Sequence, residues 1–322
     1  MTVLLILIYI AFISLGLPDS LLGSAWPAMH AELGVPISGG GVVSMIIAGG
    51  TIVSSLLSDR ILRKLGTGPV TFFSVLMTAA ALHAMSFAPS FAFLCLAAVP
   101  LGLGAGSVDA ALNNFVALHY KAAHMNWLHC FWGLGASAGP VIISAFIARG
   151  HSWAGGYRVI SLLQFALTAV LIFSLPLWKK ASATTADGSV SLPLSPLALL
   201  KLPRGKATLT AFFCYCAVEA AVGLWSSSYL VTVRGVSEST AAGWLSLFFA
   251  GITAGRVLSG FLSMKIPPRL MLHAGQGLIA AGIVIMVLPL WEWICAPGLL
   301  LIGLGCAPIF PGLLHNTPES FG

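Results

Sequence analysis

Gly39-Gly-Gly-Val-Val-Ser-Met-Ile-Ile-Ala-Gly-Gly-Thr-Ile-Val-Ser-Ser-Leu-Leu-Ser58 runs without a single charge into Asp59-Arg60-Ile-Leu-Arg63-Lys64. As a helix, about 20 such residues reach about 30 Å, the thickness of the hydrocarbon core of a bilayer. A basic cluster placed directly at one end marks a cytoplasmic boundary. The rest of the chain repeats this pattern. Of 322 residues, 58% are hydrophobic and 7% charged, and the mean hydropathy is +0.99. A soluble protein carries about 25% charged residues. Fifteen Lys/Arg and nine Asp/Glu are too few to coat a water-facing surface. This excludes an ordinary soluble enzyme, a nucleic-acid module and a disordered segment, and the net charge of +6 implies no nucleic-acid partner. The chain reads as an all-α polytopic membrane protein whose first partner is the lipid bilayer.

Ten apolar stretches are long enough to span: 3–26, 39–58, 69–88, 91–117, 126–148, 156–178, 208–231, 241–263, 270–290 and 295–314. With the N-terminus cytoplasmic, the inner loops hold Arg60, Arg63, Lys64, Lys121, Lys179, Lys180, Lys201, Arg204, Lys206, Lys265 and Arg269. The outer loops and helix ends hold only Arg149, Arg158 and Arg234. That asymmetry places both termini on the cytoplasmic side of a cell (inner or plasma) membrane. Residues 179–206 form the one long polar connector. It divides the chain into a six-helix half, 1–178, and a four-helix part, 207–322.

The chain also matches itself at a shift of about 200 residues. Asp19 meets Glu219, Trp26 meets Trp225, Gly50 meets Gly255, and Gly102-Leu103-Gly104 meets Gly303-Leu304-Gly305. Two halves related by an axis along the membrane normal are one known transporter arrangement. A complete second half would run to roughly residue 380. Helices eleven and twelve of a twelve-helix protein are therefore expected beyond Gly322.

Ser55-Leu-Leu-Ser-Asp59-Arg60-Ile-Leu-Arg63-Lys64 resembles the signature loop of the major facilitator superfamily, with Ser55 and Leu62 standing where the pattern has Gly. The resemblance implies a helical transporter bundle, with Asp59, Arg60 and Arg63 in a conformational latch. Further segments look like the fucose-permease family of sugar:proton symporters. They are Gly16-Leu-Pro-Asp19 through Trp26-Pro27, Gly104-Ala-Gly-Ser-Val-Asp109-Ala-Ala-Leu-Asn113-Asn114, Met125-Asn126-Trp-Leu-His129 through Gly139-Pro140, Glu219…Trp225…Tyr229, and Ala307-Pro308-Ile-Phe-Pro311. By that resemblance Asp19 and Asp109 serve proton coupling. Asp109 is a departure, because the family has a Glu there, and His129 is another.

An ionisable group in mid-membrane costs on the order of 2.5–3.5 kcal/mol on insertion scales, so it calls for a cavity or a partner. Asp19, Asp109, Glu219 and Arg256 all qualify. Gly16 and Pro18 weaken the helix beside Asp19, and a broken helix frees backbone groups to line a water-filled cavity. Desolvation disfavours a carboxylate anion, which lets a half-dry acid take up and release protons. The alternative reading is a buried Asp capping a broken helix. The two acids lie at different depths by the span edges, so no direct contact is expected.

Asn113 lies one turn after Asp109, and Asn126 and His129 share a face. Amide and imidazole groups both donate and accept, as sugar hydroxyls require. His129 also has the chemistry to join a proton path, and helix-to-helix hydrogen bonding is the plainer reading of all three. Trp225 and Tyr229 beside Glu219 offer an aromatic face for a pyranose, or else are interface anchors. Trp26 is expected to anchor at the outer surface. Arg256 is expected to snorkel or to form a structural ion pair with a carboxylate, with substrate binding as the alternative, and is grouped with Asp59, Arg60 and Arg63 in the conformational motif.

The six cysteines show no metal-ligand spacing and read as small core residues. No metal or cofactor is expected, and the glycine runs follow no strand, so they are no nucleotide fingerprint. The expected function is that of a monomeric secondary transporter coupling a small-molecule substrate, a monosaccharide or similar polar solute, to protons. Sodium coupling and efflux of a drug or metabolite by the same fold are the alternatives. A fragment or sensor that does not transport is a further class, and an enzyme is not expected.

Overall fold

A computed structural model describes residues 2–183, 205–262 and 264–315. Its helices are α1 Thr2–Asp19, α2 Leu21–Glu32, α3 Gly39–Leu65, α4 Thr67–Met85, α5 Phe91–His119, α6 Ala122–Ala148, α7 Trp153–Ala183, α8 Gly205–Thr232, α9 Glu238–Leu262, α10 Pro268–Val287, α11 Cys295–Cys306 and α12 Ile309–His315. Among the described residues nine stretches are long and apolar enough to cross a membrane, and the shorter Glu292–Cys306 follows them. The chain is a multi-pass membrane protein. Its exposed surface is itself apolar, with Met45, Leu96, Phe173 and Phe213 at 71–84% exposure, as a lipid-facing surface requires.

Several span edges differ from expectation for readable reasons. The first span continues to Glu32 as two helices, α1 and α2, broken at Ser20. Pro18 lacks the N–H that would bond the Ser14 carbonyl, which is why the helix yields there. The tenth span, expected over 295–314, is interrupted after Cys306 ahead of Pro308 and resumes as α12. The signature segment is not a loop. α3 continues through it to Leu65 and stops at Gly66, because Leu62 stands where a helix-breaking Gly would be. Most of the connector 179–206, from 184 to 204, lies outside the described residues.

Contacts gather Met1–Thr185 with Leu224–Ser246 into one compact unit, and Ala186–Gly223 with Leu247–Gly322 into a second. In the first, α1 packs along α6, α3 along α5, and α4 along both α5 and α7. One buried cluster joins Leu21, Trp26, Met29, Leu82, Leu94 and Tyr157, and another joins Phe12, Phe115, Leu128 and Trp178. Ala242 also sits in the first cluster, and Ser144 Oγ donates to the Ser239 carbonyl at 2.7 Å.

The second unit repeats the packing of the first. A side chain at Gly102 would strike the Ile47 carbonyl, and one at Gly303 would strike the Phe248 carbonyl. Both residues of that contact recur 201 positions later. The same shift carries Gly50 against Gly102-Leu103 onto Gly251 against Gly303-Leu304. It also carries Gly104 against Ser74 and Thr78 onto Gly305 against Gly275 and Ile279. Ser54 against Gly106 becomes Gly255 against Ala307. Packing thus corrects one sequence match: the counterpart of Gly50 is Gly251, and Gly255 corresponds to Ser54.

Candidate functional site

Every residue from Ser14 to Pro27 is buried except Asp19. The helix around it is sealed while its carboxylate meets open space. Two features set this arrangement. The Pro18 break ends α1 at Asp19, and α6 lies against α1 at backbone distance. A methyl group at Gly16 would overlap the Trp132 carbonyl, and one at Gly135 would overlap the Ile13 carbonyl, so only glycine permits this approach. That proximity lets Trp132 Nε1 donate to Asp19 Oδ2 at 2.7 Å. An indole donor to a carboxylate is a charge-assisted hydrogen bond.

His129 lies one turn before Trp132 on α6, half-buried, with its ring edge-on to Phe12 at 6.0 Å. Asn126 is exposed on the preceding turn. Toward the start of α6, Tyr9 Oη and His124 Nδ1 share a hydrogen bond of 2.8 Å. On α5, Asn113 Nδ2 donates to Asp109 Oδ1 at 2.9 Å, and both side chains are half-buried. The two acids thus have different hydrogen-bond donors on different helices.

The second unit holds its own charged group. Glu219 is half-buried on α8, and its charge acts on buried Tyr215 one turn earlier. Arg256 on α9 acts electrostatically on that same Tyr215 and, together with Glu219, on Cys306 of α11. The close approach of Gly255 to Ala307 brings α9 and α11 together there, and Tyr215 packs on Phe310 with ring centroids 6.2 Å apart. Glu219 and Arg256 therefore share one neighbourhood, which the spacing of their spans did not reveal.

Trp225 and Tyr229 belong to the first unit, where Trp225 lies about van der Waals distance from the Gly41 position, 3.4 Å. Trp26 is not a surface anchor. It is fully buried, donates to the Ile37 carbonyl at 2.6 Å, and fills the space that Gly39 and Gly40 leave open. Of the cysteines, Cys130, Cys295 and Cys306 are buried, but Cys214 and Cys216 are exposed on α8, on a face that the apolar composition of the helix hid. Asp59 and Arg63 pair one turn apart on the last turns of α3, both exposed, as is Arg60.

Sequence reasoning missed Trp132 and Gln164. Gln164 Nε2 on α7 donates to the Ser14 carbonyl at 2.7 Å, the acceptor that Pro18 leaves without its helical donor. Pro18 was the available signal, since a proline inside a buried helix leaves the carbonyl four residues earlier in need of a replacement donor.

A family model described as Major Facilitator Superfamily matches residues 8–322. The chain is 24% identical over 282 residues to "Bypass of stop codon protein 6" of Saccharomyces cerevisiae, covering 80% of this chain and 56% of that protein. It is 26% identical over 230 residues to the "Glucose/mannose transporter GlcP" of Bacillus subtilis, covering 68% of this chain and 56% of the relative. The chain thus spans little more than half the length of either. The solved structure of a bacterial homolog to the human lysosomal transporter Spinster, inward-facing and unoccupied, aligns with a TM-score of 0.71 at 15% identity, covering 98% of this chain and 74% of that one. With a family model matched across nearly its whole length and a helical bundle shared with a solved transporter, this chain belongs to the Major Facilitator Superfamily.

Proposed function

We propose that this chain is a secondary active transporter that carries a monosaccharide or related small polar solute together with protons, by alternating access around a central site. The observation that carries the reading is Asp19, the one exposed residue in a sealed mid-span stretch, held by the Trp132 indole at 2.7 Å. An acid so placed can change protonation without unfolding its helix. Asp109, bridged to Asn113, is the second coupling acid. Asn113, Asn126, His129, Glu219, Trp225 and Tyr229 are the substrate-binding set, and Asp59, Arg60, Arg63 and Arg256 govern the conformational change. Family membership makes the chain a transporter rather than an enzyme, and the name of the glucose/mannose relative supports a sugar. The protein works as a monomer in the cell membrane with both termini cytoplasmic, as the basic residues of its loops direct.

Adding hexoses and deoxyhexoses one at a time to a lightly buffered suspension of expressing cells tests this reading. Alkalinisation with one sugar, abolished in Asp19→Asn, is expected. No proton movement with any sugar, at confirmed membrane expression, overturns proton coupling and turns the test to sodium dependence and then to efflux.

A further inference from the structure

The Ser14 carbonyl is four residues before Pro18, the position from which an ordinary helix receives its backbone donor. Proline has none. Ser14 is buried at 7% exposure, and an orphaned backbone acceptor is costly to bury. The donor comes instead from Gln164, 150 residues away on α7, at 1% exposure and 2.7 Å. Among the described residues Gln164 Oε1 and Ser14 Oγ are buried with no hydrogen-bond partner, so the bond to the Ser14 carbonyl is what ties the Gln164 amide to α1. The residue directly after Pro18 is Asp19, and its carboxylate takes the Trp132 indole. α7 therefore fixes the kink from one side while α6 holds its product from the other.

We propose that Gln164 is a positioning residue for Asp19: by supplying the hydrogen bond that Pro18 removes, it sets the break in α1 and so the direction in which the Asp19 carboxylate points. This rests on the reading of Asp19 as the coupling acid, and it adds a residue that touches neither proton nor substrate. The amide acts on the acid through five residues of backbone. Its role ends if the backbone donor is restored, because an alanine at 18 carries an N–H that reaches Ser14.

The test is a double-mutant cycle of Gln164→Leu and Pro18→Ala in the full chain, labelled with 5-fluorotryptophan. The chain has nine tryptophans, and Trp132→Phe assigns the relevant fluorine resonance. Proton-driven uptake of the substrate found by the alkalinisation assay is measured beside equilibrium exchange, and where no sugar moves protons the fluorine resonance alone reads the cycle. In Gln164→Leu the Trp132 resonance is expected to move toward its position in Asp19→Asn, and proton-driven uptake to fall about tenfold while exchange changes less than threefold. With Pro18→Ala added, both are expected to return to within about twofold of the Pro18→Ala parent.

If Gln164→Leu moves neither readout while Asp19→Asn abolishes proton-driven uptake, the positioning role is wrong and the coupling acid stands. If the resonance follows the cycle but Asp19→Asn leaves coupling intact, the positioning stands and the coupling reading falls. Should Gln164→Leu alone fail to reach the membrane, recovery of the double variant supports the proposal, and failure of both contradicts it.

Discussion

Trp132 and Asp19 are joined by a 2.7 Å hydrogen bond between helices whose backbones nearly touch. The bond exists because Gly16 and Gly135 have no side chains to keep α1 and α6 apart, and because the Pro18 break ends α1 at the acid. Local backbone chemistry, close packing and the candidate site thus meet at one residue.

Removing the indole donor isolates its contribution. A hydrogen bond to a charged group contributes about 1.5–3 kcal/mol. Trp132→Phe, which keeps the ring and loses the N–H, is expected to reduce proton-driven uptake by about tenfold or more, with exchange of labelled substrate largely retained. Uptake within twofold of wild type would show that the bond is incidental.

Gly135→Val should act on stability rather than chemistry. The added side chain meets the Ile13 backbone, which cannot swing aside. Overpacking costs typically 1–3 kcal/mol, and a backbone clash belongs at the upper end. The melting temperature of the purified protein in detergent is expected to fall by several degrees, and an unchanged melting curve would refute the close α1–α6 contact.

Repetition of the packing makes a paired prediction. Gly102→Val and Gly303→Val each drive a side chain into a carbonyl, that of Ile47 or of Phe248, at equivalent places in the two units. Both are expected to lower the melting temperature by similar amounts, within about a factor of two. A large loss for one and none for the other would break the equivalence.

Much of this architecture is legible in the sequence, because a bilayer leaves few choices. The spans follow from apolar length, and Pro18 announces a break beside Asp19. The limits have physical causes. Nothing local tells α3 to stop at Ser58 when Leu62 replaces a glycine, so the helix takes in Asp59 through Lys64. The indole of Trp26 looked like an interface anchor until the Ile37 carbonyl and two facing glycines gave it a buried seat. Trp132 and Gln164 went unread because their partners lie 113 and 150 residues away. Helix rotation, which sequence alone does not give, decides which face meets α1.

Asp59 and Arg63 separate stability from function. Their pair is exposed and lies within one helix, the kind of ion pair that adds little to folding. Arg63→Ala is expected to leave the melting temperature unchanged within about 1 °C. If the latch role implied by the family resemblance holds, Asp59→Asn lowers the transport rate at least about tenfold at the same stability. Equal transport in Asp59→Asn and wild type would remove Asp59 from the conformational cycle.

The central claim is that Asp19 carries the coupled proton. Its most direct test is uptake into proteoliposomes under an imposed pH gradient, compared with substrate exchange at equal pH, for wild type and Asp19→Asn. Wild type is expected to accumulate substrate against its gradient, whereas Asp19→Asn should exchange substrate but fail to accumulate it. Accumulation by Asp19→Asn at the wild-type level would contradict the account.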